Sequence, residues 1–178
     1  LLKLKHLIST KLISNKSGIN IIIPPIVPER IYSHVVAKGR GYLNYTPTGT
    51  MYIAASIRDA DIPDFSNNID LIDLNNEILQ NSVYSKNPDY KIWKKVLIKS
   101  LSSQIDPIFI ISYMFATTKE NFIEVSDFIR ESYPNALIIA GGVQATFDPE
   151  SILNLNHADI ISMYEGESSL PQLFSWIR

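Results

Sequence analysis

The chain contains no cysteine. That excludes disulfides, zinc-thiolate sites and cysteine-bound iron–sulfur clusters within it, and fits a reducing cytoplasm. No apolar run approaches the roughly 18 residues a membrane span requires. Charge of one sign is lacking too: the net charge is only −2, which gives no electrostatic case for nucleic acid or an anionic membrane as partner. A leader with an unbroken apolar centre is also missing, because Lys3, Lys5, Lys11 and Lys16 interrupt the opening leucines. Residues 1–18 therefore read as an N-terminal extension, helical at most. Leu1 stands where a start Met is expected, so the chain reads as a piece of a larger protein.

What is present is enough apolar material for one domain: 46% of 178 residues. It is concentrated in five short runs, Ile19 to Ile23, Ile69 to Leu74, Pro107 to Ser112, Ala136 to Ala140 and Asp159 to Met163. These are continuous rather than alternating, as in strands buried on both faces. Helical patterns follow from about Thr50 to Asp59, with Met51, Ala54, Ala55 and Ile57 toward the core, and through Ile92, Trp93, Val96, Leu97 and Leu101 behind an Asn87-Pro88 cap. Others run through Phe122, Val125 and Ile129 behind a Thr117–Glu120 capping box, after Asp148-Pro149, and from Ser168 to Ile177. The stretch from Pro24 to Gly49 has no clear period; connections this long are usually functional or disordered.

Strands alternating with helices predict an α/β domain over residues 19–178, with a doubly wound, flavodoxin-like parallel sheet in the order 2-1-3-4-5. The carboxyl ends of the strands then form one rim, where ligands of such sheets bind. At the fourth strand that rim carries Gly141-Gly142, two positions without side chains. A phosphoacceptor site would need clustered carboxylates after the first strand, where Pro24-Pro25 stand. A dinucleotide fingerprint after Gly39-Arg40-Gly41 would need a third glycine where Asn44 is found.

One constellation does fit. Ser112-Tyr113-Met114 closes the third strand and Gly141-Gly142 the fourth, with residues 115–140 between them. This resembles the Ser-x-Leu and Gly-Gly elements of cobalamin-binding domains, with Met114 in place of the leucine. Pro47-Thr48-Gly49, Gly141 to Thr146 and Glu165-Gly166-Glu167 further resemble segments of the cobalamin domain of B12-dependent radical SAM enzymes. The likeness spans about Asn20 to Ile177. It implies a base-off cobalamin whose nucleotide tail enters between strands three and four. The cofactor-binding set it implies is Thr48, Gly49, Asp73, Ser112, Tyr113, Met114, Gly141, Gly142, Val143, Gln144, Tyr164, Glu165, Gly166 and Glu167. Ser112 would hydrogen-bond the freed benzimidazole, and Tyr113 or Met114 would cover the lower corrin face. Helix starts at Gly49 and Gly166 would hold the phosphate or corrin amides. A bulky residue at Gly142 is expected to block binding and spare the fold.

The wider family often carries Asp-x-His-x-x-Gly, whose histidine ligates cobalt. Here Tyr32 and Ala37 flank His34 at the Asp and Gly places, so no protein ligand to cobalt is expected. Gln144 stands where the family usually has histidine, and Tyr164 where it has glycine. The resemblance implies a downstream radical SAM domain with a 4Fe-4S cluster and S-adenosylmethionine, and a parent methyltransferase acting on unactivated carbon or phosphorus. Ring contraction or another rearrangement is also known in that family. No catalytic residue is assigned to this chain. Two other readings stay open: a non-catalytic α/β binding or regulatory module for a nucleotide-like ligand, and a docking domain with an empty rim.

Overall fold

The computed structural model describes residues 18–42, 44, 46–101 and 107–177. Nearly all of the expected N-terminal extension lies outside them. The strands are β1 (Ile19–Ile23), β2 (Ile69–Asp73), β3 (Ile108–Ser112), β4 (Leu137–Gly141) and β5 (Ile160–Ser162). They form one sheet in the order β2-β1-β3-β4-β5, with every pairing parallel. The predicted order is the observed one.

Eight helices are found among the described residues: α1 (His34–Lys38), α2 (Thr48–Asp59), α3 (Leu74–Tyr84), α4 (Ile92–Leu101), α5 (Lys119–Ser132), α6 (Val143–Phe147), α7 (Pro149–Asn154) and α8 (Gly166–Ile177). Strand side chains alternate between the two faces, and both faces are covered. Ile22, Phe109, Ile111, Ile138 and Ala140 pack with Trp93 and Leu97 of α4 and Phe122, Val125 and Ile129 of α5. Ile19, Ile21, Ile108, Ile110, Leu137 and Ile139 pack with Ile57 of α2 and Leu170 and Phe174 of α8. Asn20, the polar break in the first run, is fully buried and donates through Nδ2 to the carbonyls of Gly18 (3.3 Å) and Ile108 (3.2 Å).

Several local expectations are corrected. Asn87-Pro88 lies in a bend ahead of α4 rather than at its first turn, with the Asn87 N–H donating to Ser85 Oγ. The Thr117–Glu120 capping box is not made: Thr118 precedes α5 without a side-chain cap, and its hydroxyl donates to the Phe115 carbonyl. Met51 points outward at 47% exposure. Helix α3 follows β2 without a break, capped by Asp73, whose carboxylate accepts from the Asn76 N–H at 2.9 Å. Its apolar positions, Leu74, Ile78 and Leu79, are diluted by asparagines, which hides the period.

The stretch after β1 is pinned rather than loose. The Ile26 N–H donates to Asn75 Oδ1 (3.1 Å), Asn121 Nδ2 to the Pro25 carbonyl (2.6 Å), and the Tyr90 hydroxyl to the Val27 carbonyl (2.7 Å). Tyr32 stacks on Tyr42 at 5.0 Å.

Candidate functional site

A cavity of about 660 Å³ opens at the carboxyl ends of the strands. Ile110, Ser112, Gly141 and Ser162 line it from the sheet, Thr48, Gly49, Thr50 and Ile53 from α2, and Gly166, Glu167 and Leu170 from α8. All of these strand residues belong to the α2/α8 face. Ser112 pairs with Gly141, and Gly141 with Ser162, across adjacent strands. Small side chains thus stand side by side on three strands, and the core that fills this face lower down stops short of the rim.

The two glycines act differently. At Gly141 an added Cβ would sit 3.7 Å from Ser162 Cβ, an ordinary contact. Gly142 has φ +104°, and its Cβ would stand 2.8 Å from the Tyr113 carbonyl oxygen and 3.0 Å from Met114 Sδ. The same carbonyl accepts the Gln144 N–H at 3.0 Å. Gly142 therefore lets the turns after β3 and β4 lock together, as well as lining the cavity. The expectation that a bulky residue there spares the fold is wrong for this reason.

Two long helices begin on the cavity. In α2 the Thr48 N–H donates to Thr46 and the Met51 N–H to Pro47. Those of Gly49 and Thr50 lack an intrahelical partner, as first-turn amides do. The α8 start at Gly166 is buried, with Glu165 and Glu167 exposed beside it. Each start offers donors and a partial positive charge to an anion or a carbonyl. Ser112 Oγ makes no hydrogen bond among the described residues, so its donor and acceptor capacity remains available. Asp73 also lines the cavity, and burial raises its carboxyl above the ordinary value of 3.8 despite the amides that stabilise the anion.

Of the fourteen residues expected to bind cofactor, Tyr113 and Gln144 do not line the cavity; the other twelve do. Tyr113 shares the strand face of Ile111, so its ring turns inward and stacks on Phe122 at 4.6 Å. Burial, with a smaller contribution from Asp148, pushes its hydroxyl pKa up. Covering the rim falls instead to Met114 and Phe115, at 42% and 47% exposure. In α6, Val143, Thr146 and Phe147 share the cavity side at helical spacing, which carries Gln144 elsewhere. Tyr164 adopts φ +58°, a backbone conformation suited to glycine, and its N–H donates to Thr146 Oγ1 at 3.2 Å.

Residues not singled out from sequence include Asn44, Asn75, Thr146, Phe147 and Ser162, all on the cavity. Register could have found Ser162, opposite Gly141, and helical spacing could have found Thr146 and Phe147. His34 is not on the cavity: its Nδ1 lies 2.8 Å from Ser82 Oγ, a buried hydroxyl that donates to the Ile78 carbonyl and also meets the Tyr32 hydroxyl at 2.8 Å. No Lys or Arg lines the cavity among the described residues.

An open parallel sheet with a largely apolar cavity at its carboxyl edge, flanked by two helix starts, defines a doubly wound cofactor-binding domain. The chain belongs to the B12 binding domain family, whose match covers residues 35–174. β1 precedes that match yet lies between β2 and β3, so it is part of the same domain. No curated protein matches the chain. The residues present suit the family's cofactor: the Gly141 position is bare, Gly49 has open space around it, and Ser112 offers an unengaged hydroxyl beside apolar walls. No helix among the described residues is long and apolar enough to cross a membrane.

Proposed function

We propose that the chain holds cobalamin in the base-off state and serves as the cobalamin domain of a B12-dependent radical SAM methyltransferase of the cytoplasm. The observation that carries the binding mode is the run of small residues Ser112–Gly141–Ser162 beside a cavity of about 660 Å³. That volume lies within the range for small-molecule sites, so a detached nucleotide tail is accommodated while a larger ring stays at the mouth. Ser112 is positioned to hydrogen-bond a benzimidazole nitrogen. The amides of Gly49 and Thr50, and those at Gly166, are the donors for a single phosphodiester or for carbonyl groups. Met114, Phe115 and Val143 keep water from the lower face without offering a strong ligand. Cobalamin, when bound, supplies a cobalt centre that accepts and hands on a methyl group.

The radical SAM assignment is supported by the likeness of residues 47–49, 141–146 and 165–167 to that branch. It is also supported by Tyr32 and Ala37 at the places of the histidine motif's Asp and Gly. The partner would be a radical SAM domain downstream, carrying a 4Fe-4S cluster and S-adenosylmethionine. A polyphosphate nucleotide is disfavoured, because Asp73, Glu165 and Glu167 are the charged residues around the cavity among those described.

The test is to mix the purified chain with hydroxocobalamin and record the visible spectrum before and after gel filtration. Corrin absorbance with a base-off spectrum should stay with the protein. Its complete loss would overturn the binding reading. Sequencing the gene beyond the Arg178 codon tests the parent: an open frame continuing without Cys-x-x-x-Cys-x-x-Cys would remove the radical SAM assignment and leave cobalamin binding standing.

A further inference from the structure

We propose that Asp73 and Asn75 form a subsite that reads a primary carboxamide on the rim of the bound cofactor; this rests on the cobalamin reading above. Both residues line the cavity from the β2–α3 junction, on the side away from the Gly141 slot. Asn75 is 7% exposed, and its orientation is fixed because Oδ1 accepts the Ile26 N–H at 3.1 Å. That leaves Nδ2 as the outward group, a donor with no acceptor among the described residues. Asp73 is fixed as well, one oxygen accepting the Asn76 N–H at 2.9 Å. A carboxylate has about four acceptor positions, so capacity remains toward the cavity.

One held donor and one held acceptor at a single edge complement a primary amide, which presents a carbonyl oxygen and an N–H2 group together. A carboxylate in its place would meet the Asp73 charge with no proton between them. Burial already disfavours the Asp73 anion, so a second anion beside it is costly. Cobalamin carries primary carboxamides around its ring, whereas its hydrolysed derivatives carry carboxylates at the same places. A ligand that fills this end must also replace whatever water satisfies Asn75 Nδ2, or it loses affinity. The subsite therefore selects the fully amidated ring.

The test is to titrate the chain with hydroxocobalamin and with each cobalamin monocarboxylic acid, in which one peripheral carboxamide has become a carboxylate, following the visible spectrum at neutral pH. One acid isomer should bind about tenfold more weakly than hydroxocobalamin, the worth of one hydrogen bond to a charged group. Asp73→Asn keeps an acceptor for the α3 cap and should recover most of that loss for the same isomer. Asn75→Asp keeps the acceptor for Ile26 and should weaken hydroxocobalamin itself by about tenfold. Equal binding of all isomers, or a deficit unchanged in Asp73→Asn, overturns the subsite and leaves cobalamin binding intact. No binding of hydroxocobalamin by the unaltered chain overturns both.

Discussion

The amino and carboxyl edges of the sheet carry polar groups in opposite states. At the amino ends, Arg130 and Asp159 meet at 3.0 Å with side chains 14% and 6% exposed. Asp159 Oδ2 accepts the Ile138 N–H at 2.8 Å, and Arg130 donates to the carbonyls of Ala136 and Asn156. Ser126 donates to the His157 carbonyl, and His157 Nδ1 lies 3.2 Å from Asp127. These groups engage one another, with Arg130 Nη2 held to Asp159 by charge and distance rather than by an aligned hydrogen bond. At the carboxyl ends, Ser112 and Asn75 Nδ2 have no partner among the described residues and face open space. Polar capacity without a protein partner is costly in a core; at Ser112 and Asn75 it faces a cavity instead, which marks the place kept for a ligand.

Breaking the satisfied end should have the largest effect. Arg130→Met removes one partner and strands the buried Asp159 charge, a change that costs about 3–5 kcal/mol. Urea unfolding should show that loss, while the folded fraction binds hydroxocobalamin as before. A loss under about 1 kcal/mol would mean the pair is screened like a surface ion pair, and the contrast between the ends would fail.

Next comes the pair of glycines. Gly142→Ala forces a Cβ onto a backbone with φ +104° and toward the Tyr113 carbonyl, and should cost about 2 kcal/mol or more. Gly141→Ala meets only ordinary contact and should change stability by less than about 1 kcal/mol either way. Thermal unfolding of both variants separates them. Equal effects would mean that close turn packing does not distinguish the two positions.

Sequence reading reached the sheet, its order and the edge that holds the cavity, because continuous β-branched runs such as Ile19 to Ile23 carry their own burial signal. It failed where a residue's side of an element had to be known. Tyr113 follows Ser112 by one position, and strand alternation sends its ring to the opposite face. Gln144 sits one step from Val143, and helical rotation takes it off the cavity. Asn75 was not legible, since its role depends on the Ile26 N–H, which is distant in sequence. Helix α3 escaped notice because Asn75, Asn76 and Asn81 dilute its apolar stripe.

A smaller effect is expected at Tyr164, which is 79% exposed with φ +58°. A non-glycine residue in that region pays about 1–2 kcal/mol, and glycine's extra chain entropy returns about 0.5–1 kcal/mol of any gain. Tyr164→Gly should therefore stabilise the chain by up to about 1 kcal/mol. If Tyr164 also covers the cavity mouth, the same variant should release hydroxocobalamin faster. A more stable variant with unchanged release would assign the tyrosine no part in binding.

The finest test sets Asp73 against the carboxylates of the satisfied end. Its pKa is raised by burial, with the Asn76 and Asn75 amides acting against the shift. The folded state thus favours the protonated acid more than the unfolded chain does. Its contribution to stability is fully present below the ordinary value of 3.8 and is lost as pH rises through the higher folded value. Asp73→Asn cannot ionise and still accepts the Asn76 N–H as a cap. The variant should therefore gain stability relative to the parent chain as pH climbs from below 3.8 toward neutrality, a trend readable from urea midpoints across that span. A constant difference across that span would mean that the cavity does not strain this carboxylate. The subsite's preference for an amide over an acid would then rest on the Asp73 charge and the Asn75 donor without a contribution from burial.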